Sequence, residues 1–171
     1  VARGFYGAET HYATPGGKPV TSTGGMQVTP DLALEDIDPA KLDALVVCGG
    51  SAWQTPDAPD LTSLLNATVD TGKVVGAICD GTVAAAKTGI LDDVAHTSNG
   101  VGYLDASGYK GKSRYRDVPH AVRDGNIVTG AARMPVRFMA EVMRAVGLAD
   151  DQLEFYLGMH AAEHTPRKAA A

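Results

Sequence analysis

The 171-residue sequence contains only two cysteines, Cys48 and Cys79, and no long apolar run. Two cysteines do not make a disulfide framework, and this usage is typical of a reducing compartment, so we expect a cytoplasmic protein. A membrane-spanning helix needs about 20 consecutive apolar residues, and no stretch approaches that length. No signal-peptide pattern opens the chain either.

An excess of positive charge is also absent, because the formal net charge is -5 and the sequence pI is about 5.4. This balance argues against a surface that binds nucleic acid or an anionic membrane. With 44% hydrophobic residues the chain can bury one sizeable core, so we expect a single domain over residues 1–171. The histidines are scattered and no pair has metal-site spacing, so neither a metal nor another cofactor is implied.

The sequence begins VARGFYGAETHYATPGG, without Met and in the middle of a pattern. ETHYA has strand-like residues, but the strand and crossover helix that normally open a parallel α/β domain are not visible before it. We therefore expect that a first strand and most of a helix precede Val1.

Strand patterns and helix patterns alternate along the rest of the chain. The predicted strands are two short ones within residues 20–28, buried strands at LDALVVCGG and VVGAI, a strand around VAHTS, and a hairpin at AVRDGNIVTGA. Helices are predicted after Asp57 or Asp60, after Cys79, from Pro135, and over residues 151–162, with a frayed tail at TPRKAAA. This order predicts a doubly wound α/β sandwich of the flavodoxin type, with helices on both faces of a mostly parallel sheet.

Cys79 lies where an apolar strand gives way to a helix, in VVGAICDGTVAAAKTG. Gly76 and Gly81 bracket it as glycines do in a nucleophile elbow, where a tight turn raises one side chain above the sheet. Backbone N–H groups at a helix N-terminus favour the thiolate. The alternative is a buried structural cysteine, but this context favours a reactive thiol.

Five motifs in this order, GKPVTSTGGMQVTPD, LVVCGG, AICDGT, AHTSN and VRDGNIVTG, resemble the ThiJ/PfpI family of the class I glutamine amidotransferase-like superfamily. The resemblance covers residues 8 to about 147. It is greatest to a bacterial branch usually described as amidotransferase-like, which shares a Trp after the Gly-Gly pair (Trp53) and the HTSN motif (residues 96–99).

The resemblance implies roles for individual residues. Cys79 is the nucleophilic or oxidisable thiol, and the backbone N–H groups of Gly50 and Asp80 form a donor pair for a developing oxyanion. A small-molecule substrate and a homodimer are also implied. In the family a glutamate of the first helix hydrogen-bonds the thiol, and no residue of this sequence is assigned to that place.

Asp80 departs from the protease-like members, which have His directly after the cysteine. A carboxylate beside the thiol opposes thiolate formation unless its side chain points away, which weakens the peptidase interpretation. The competing view is that Asp80 points into the protein and anchors a neighbouring segment. Glutaminase activity is not expected, because the distal His-x-Glu pair is missing.

Four further residues have both a functional and a structural interpretation. His96 either acts as a general base or substrate ligand, or is a hydrogen-bonded structural histidine. Cys48 is expected to pack in the core, and the alternative is a resolving partner for Cys79. Trp53 either walls the pocket over Cys79 or only packs, and Arg133 either binds an anionic substrate or is solvated.

The leading hypothesis is a cysteine-dependent enzyme, either an amidase or other hydrolase or a reactive-carbonyl enzyme of the glyoxalase or deglycase type. Cys79 then adds to a carbonyl carbon. The alternative is a non-catalytic redox stress sensor or chaperone-like protein in which Cys79 is oxidised to the sulfinate.

Overall fold

Strands and helices alternate along residues 1–163, the part of the chain that this computed structural model describes. The strands are β1 (Ala13–Thr14), β2 (Val20–Thr21), β3 (Gln27–Val28), β4 (Leu32–Ala33), β5 (Ala44–Val47), β6 (Val74–Ile78), β7 (Val122–Asp124) and β8 (Ile127–Gly130). The α-helices are α1 (Ala2–Tyr6), α2 (Thr62–Asp70), α3 (Gly81–Lys87), α4 (Pro135–Ala145) and α5 (Asp151–Glu163). The predicted tail TPRKAAA lies outside the described residues.

The central sheet has four strands in the order β5-β6-β8-β7. β5, β6 and β8 are parallel, and β7 is antiparallel to β8, with which it forms the predicted hairpin. Since the three parallel strands point the same way, their C-terminal ends meet at one edge of the sheet, the usual place for a site in such folds.

Helices cover both faces of this sheet, which confirms the predicted fold class. On one face α2 and α3 pack on the strands in a single apolar cluster that includes Val47, Leu65, Val75, Ala77, Ala85 and Ile127. On the other face α4 packs through Phe138 against Val74 and Val128. α5 lies behind α4, where Leu153 meets Ala140 and Met143.

The helix ends follow the predicted signals. Asp60 accepts a hydrogen bond from the Thr62 backbone N–H (2.9 Å), so it is Asp60 rather than Asp57 that satisfies a free donor at the start of α2. Gly72 (φ 74) and Gly147 (φ 78) adopt the left-handed conformation just after α2 and α4.

Three strand predictions need correction. LDALVVCGG contains the short strand β5, but β5 is an edge strand among the described residues, and Val46 is 43% exposed instead of buried. VAHTS forms only an isolated bridge between His96 and Tyr115. ETHYA contributes no more than the start of β1, which pairs with β4 in a separate two-stranded sheet. An apolar segment favours burial, but it does not determine which strands pair with it.

The antiparallel pair of β2 and β3 around Gly24-Gly25 is as predicted. Among residues 1–163, none of the helices combines the length and the apolar character that a membrane crossing requires.

Candidate functional site

Cys79 is the one non-glycine residue with a positive φ (56°) in the described part of the chain. It occupies the turn between β6 and α3. Its backbone N–H donates to the Gly130 carbonyl (2.9 Å), and its carbonyl accepts from the Thr82 N–H (3.1 Å) and the Thr82 hydroxyl (2.5 Å). A left-handed non-glycine residue is strained by roughly 1–3 kcal/mol and persists only where its surroundings fix it, as these three bonds do. This is the conformation of a nucleophile elbow.

Thr97 and Ser98, which follow His96, belong to a buried hydrogen-bonded network next to the elbow. The Ser98 hydroxyl lies 2.6 Å from the Thr82 hydroxyl, and the Thr97 N–H donates to the Thr129 hydroxyl (2.8 Å). All four side chains are buried, with 1% exposure or less. Through Thr82, which bonds the Cys79 carbonyl, this buried hydrogen-bonded network supports the backbone of the elbow.

Asn99 provides a contact to the thiol that sequence reasoning did not assign. Its amide nitrogen Nδ2 lies 3.6 Å from Cys79 Sγ, within hydrogen-bonding range for sulfur. Its Oδ1 accepts from the Ala132 backbone N–H (2.9 Å), which orients the amide so that its donor faces the sulfur. Asn99 is the last residue of the HTSN motif. The motif was recognisable in the sequence, but the contact of Asn99 with the thiol was not.

The backbone around the thiol is closely packed and offers free donors. A Cβ on Gly49 would lie 2.7 Å from Cys79 Cβ and 3.3 Å from its Sγ, so only glycine fits there. In the backbone hydrogen bonds of residues 1–163, neither the Gly50 N–H nor the Asp80 N–H is a donor. These are the two groups expected from the sequence to face an oxyanion.

The Asp80 side chain is buried (8% exposed) and accepts hydrogen bonds from two loops. Its Oδ1 accepts from the Tyr103 hydroxyl and from Gln54 Nε2 (3.0 Å), and the same Gln54 nitrogen lies 2.9 Å from the Tyr103 oxygen. The hydrogen bond to Asp80, together with burial, raises the pKa of Tyr103. The anchoring view of Asp80 therefore matches these contacts.

His96 is fully buried, and both of its ring nitrogens are engaged away from the thiol. Nδ1 lies 2.8 Å from the Val94 carbonyl and must donate to it, while Nε2 lies 3.4 Å from the Tyr109 hydroxyl. The ring also makes edge-on contacts with Tyr109 and Tyr115. The structural interpretation replaces the general-base one, because the buried ring is held as a neutral tautomer within the core.

The burial of His96 predicts a pH dependence of stability. Burial lowers the pKa of His96, so on acidification the unfolded chain takes up a proton at this residue before the folded chain does. The free energy of unfolding should fall as the pH drops below about 6.5, by about 1.4 kcal/mol per unit of pKa difference. Urea unfolding of the protein and of His96→Gln between about pH 7 and 5 tests this, since the variant should show a shallower slope.

The exposed His120 provides the matched control for that experiment. His120→Gln should keep the slope of the parent protein. An equal slope in His96→Gln and the parent would contradict the assignment of the pH dependence to His96.

Cys48 is not placed as expected, and the contacts of Trp53 agree with its packing interpretation. Cys48 follows β5 on the surface and is exposed, not packed in the core, although partial desolvation raises the pKa of its thiol. Trp53 Nε1 donates to the Cys48 carbonyl (2.8 Å), and its ring lines a small cavity of about 170 Å³ beside α3 that Cys79 does not line. Trp53 therefore packs beside the elbow helix and does not wall the thiol.

Arg133 is exposed and lies in a groove of about 480 Å³ between the start of α4 and α5, together with Arg137 and His160. Cys79 does not line this groove. The solvated interpretation of Arg133 fits this position. Within residues 1–163, no three His, Cys, Asp or Glu side chains are grouped so as to hold a metal ion.

Comparison with known proteins gives a consistent family. A model of the DJ-1/PfpI family matches residues 3–145. The crystal structure of the DJ-1 superfamily protein Atu0886 from Agrobacterium tumefaciens is similar, with a TM-score of 0.92 and 43% identity over 96% of this chain and 88% of that one.

Two curated relatives carry functional names. The protein YoaZ of Bacillus subtilis, named an uncharacterized protease, is 30% identical over 127 residues, which are 73% of this chain and 60% of YoaZ. The glutathione-independent glyoxalase DJR-1.2 of Caenorhabditis elegans is 29% identical over 109 residues, which are 58% of this chain and 59% of that protein. This chain thus spans about three fifths of the length of these curated relatives.

Proposed function

This chain belongs to the DJ-1/PfpI family, and on that premise we propose that it is a cysteine-dependent enzyme acting on small reactive carbonyl compounds, with Cys79 as nucleophile. The observation that carries the proposal is the strained backbone of Cys79 (φ 56°), which holds its sulfur at the C-terminal edge of the sheet beside the Asn99 amide. Strain of this kind clusters at active sites.

The first step is addition of the Cys79 thiolate to an aldehyde carbon. A sulfur–carbon bond forms and the π electron pair of the carbonyl moves to its oxygen. This oxygen accepts hydrogen bonds from the free backbone N–H groups of Gly50 and Asp80. Protonation of that oxygen by solvent gives a hemithioacetal. The Asn99 amide supports the thiolate before the addition by donating to its sulfur.

With a 2-oxoaldehyde such as methylglyoxal, the hemithioacetal can proceed without an oxidant. The proton on the former aldehyde carbon moves through solvent to the neighbouring carbonyl carbon. The hydroxyl proton of the hemithioacetal moves through solvent to the oxygen of that carbonyl, which becomes a hydroxyl, and the hemithioacetal carbon becomes the carbonyl of a thioester. Water then hydrolyses the thioester, which releases a 2-hydroxy acid and restores the thiol. The net change is the addition of one water to the substrate.

An aldehyde fits this site better than an amide. Amide hydrolysis needs a general acid that protonates the leaving amine. In this chain Asp80 stands in the position of the protease-like histidine, and its carboxylate is occupied by Tyr103 and Gln54. His96 is buried with both nitrogens engaged. The glyoxalase name of the Caenorhabditis elegans relative points the same way.

Trapping of the covalent intermediate tests this function. The protein is mixed with methylglyoxal, quenched at short times and digested for mass mapping, while release of 2-hydroxy acid is followed in parallel. We expect a transient adduct on the Cys79 peptide and steady release of product. Adducts confined to Cys48 or to lysines would contradict the proposal. No product, together with clean conversion of Cys79 to the sulfinate under mild peroxide, would favour the redox sensor instead.

A further inference from the structure

The contacts of Asp80 connect two loops that flank the thiol. Gln54 ends the short turn that follows the Gly49-Gly50 pair, and Tyr103 lies on the loop that follows Asn99. Both side chains converge on one buried carboxylate at the start of α3, one residue from Cys79. Hydrogen bonds to an ionised acceptor are roughly twice as strong as neutral ones, so this carboxylate is an effective point of attachment for both loops.

Both loops reach the site through these contacts. The Tyr103 hydroxyl donates to the carboxylate of Asp80, the residue next to Cys79 in the chain. Asn99, four residues before Tyr103 on the same loop, contacts Cys79 Sγ. The Gly49 backbone also lies against the sulfur, with no room for a Cβ, and the Cys79 side chain is partly exposed. The segments that carry Gln54 and Tyr103 therefore begin at residues next to a thiol that remains accessible.

The Tyr103 loop is anchored in the apolar core by Leu104 (1% exposed), but the residues just before Tyr103 are loosely packed. Gly100 has nothing within 4 Å of the position where a Cβ would stand, Gly102 is left-handed (φ 80), and Val101 is 73% exposed. A segment of this composition is easily displaced unless specific bonds fix it. Leu104 fixes the backbone of the loop, and the bond to Asp80 fixes the position of the Tyr103 side chain.

We propose that Asp80, Gln54 and Tyr103 form a latch that ties together the two loops beside Cys79 and restricts the thiol to small carbonyl compounds. The proposal rests on the proposed function for the identity of the substrate, but the latch itself is defined by access to the sulfur. Asp80 is thus a positioning residue, whose carboxylate controls access to the thiol by holding the two side chains.

Alkylation of the thiol by reagents of two sizes tests the latch. In a Cys48→Ser background only Cys79 reacts, and its rates are measured with iodoacetamide and with N-(1-pyrenyl)maleimide. Tyr103→Phe removes one hydroxyl and no charge, so the iodoacetamide rate should stay nearly unchanged. The maleimide rate should rise about tenfold, the factor that corresponds to the loss of one hydrogen bond to a charged group.

Two variants at Asp80 separate size control from charge. Asp80→Ala removes both the charge and the latch, so both rates should rise, the maleimide rate more. Asp80→Asn keeps an acceptor oxygen for Tyr103 without the charge, so its ratio of maleimide to iodoacetamide rates should stay near that of the parent. Tyr109→Phe is the matched control, because its hydroxyl contacts His96 and not this cluster.

An unchanged ratio of the two rates in both Tyr103→Phe and Asp80→Ala would overturn the latch. Melting temperatures of all variants identify any that is unfolded, and Tyr103→Phe alone remains decisive if Asp80→Ala does not fold. Alkylation requires no turnover, so this experiment tests the latch independently of the proposed function. Loss of size discrimination with no conversion of methylglyoxal would refute only the function.

Discussion

Cys79→Ser is expected to lower kcat for methylglyoxal by about a thousandfold or more while leaving the fold intact. A serine hydroxyl is a poor nucleophile unless a base removes its proton. The described residues bring no histidine to the elbow, since His96 is bound to Val94 and Tyr109. The substitution changes one atom, and the hydrogen bonds that fix residue 79 are made by its backbone, so the elbow should persist. Steady-state kinetics and the melting temperature measure the two effects.

Cys48→Ser is the matched control for that result. Cys48 is the other thiol of the chain and is exposed after β5, so a general thiol effect should appear in either variant. We expect kcat of Cys48→Ser to stay close to that of the parent. Equal losses in both variants, or undiminished activity in Cys79→Ser, would remove Cys79 from the mechanism.

The elbow could be predicted because its signals are local. An apolar strand, a glycine on each side of the cysteine and an alanine-rich helix lie within residues 74–89, and they are enough to indicate the elbow, although Gly130 also helps to fix the left-handed Cys79. The helices could be predicted for the same reason, since Asp60, Pro135 and Gly147 act on their own turns. The doubly wound arrangement then followed from the alternation of strands and helices.

The surroundings of the thiol could not be predicted, because they come from side chains far apart in the chain. Asp80 meets Gln54 26 residues away and Tyr103 23 residues away, and both partners lie on segments without periodic patterns. The sequence left open whether Asp80 faces the pocket or anchors a segment, and only the contacts distinguish the two. Asn99 belongs to the HTSN motif, but its contact with Cys79 depends on the path of the loop.

The sequence left the side-chain orientation of three site candidates open, and the reason is the same for all three. His96, Trp53 and Arg133 follow strands or strand-end turns, which makes them candidates for the site, yet their side chains point into the core, beside α3 and into the α4–α5 groove. Position along the sheet edge fixes where a backbone lies but not which way its side chain turns. Cys48 was expected to be buried because its strand is apolar, but burial depends on the neighbours of that strand.

Gly81→Ala is expected to lower the free energy of unfolding by about 2 kcal/mol, the net of two opposing effects. A Cβ at this position would lie 2.4 Å from the Val47 carbonyl oxygen and 3.0 Å from that of Cys48, and both are backbone atoms that cannot turn aside. The start of α3 must therefore move away from β5, and such overpacking costs roughly 1–3 kcal/mol and occasionally more. Alanine recovers at most about 1 kcal/mol through its higher helix propensity, so the clash prevails.

Urea unfolding and thermal melting measure this effect, and the expected loss corresponds to a fall in melting temperature of about 4–8 °C for a chain of this size. Gly158→Ala in α5 is the matched control, because it is also a helical glycine but has nothing within 4 Å of its Cβ position. At that position only the helix propensity changes, and the free energy of unfolding should stay the same or rise by up to about 1 kcal/mol.

Since Gly81 begins the helix that follows Cys79, Gly81→Ala should also change the rate of Cys79 alkylation, whereas Gly158→Ala should not. Equal stability changes in the two variants would mean that α3 tolerates the displacement, and that close contact with β5 does not hold the elbow in place.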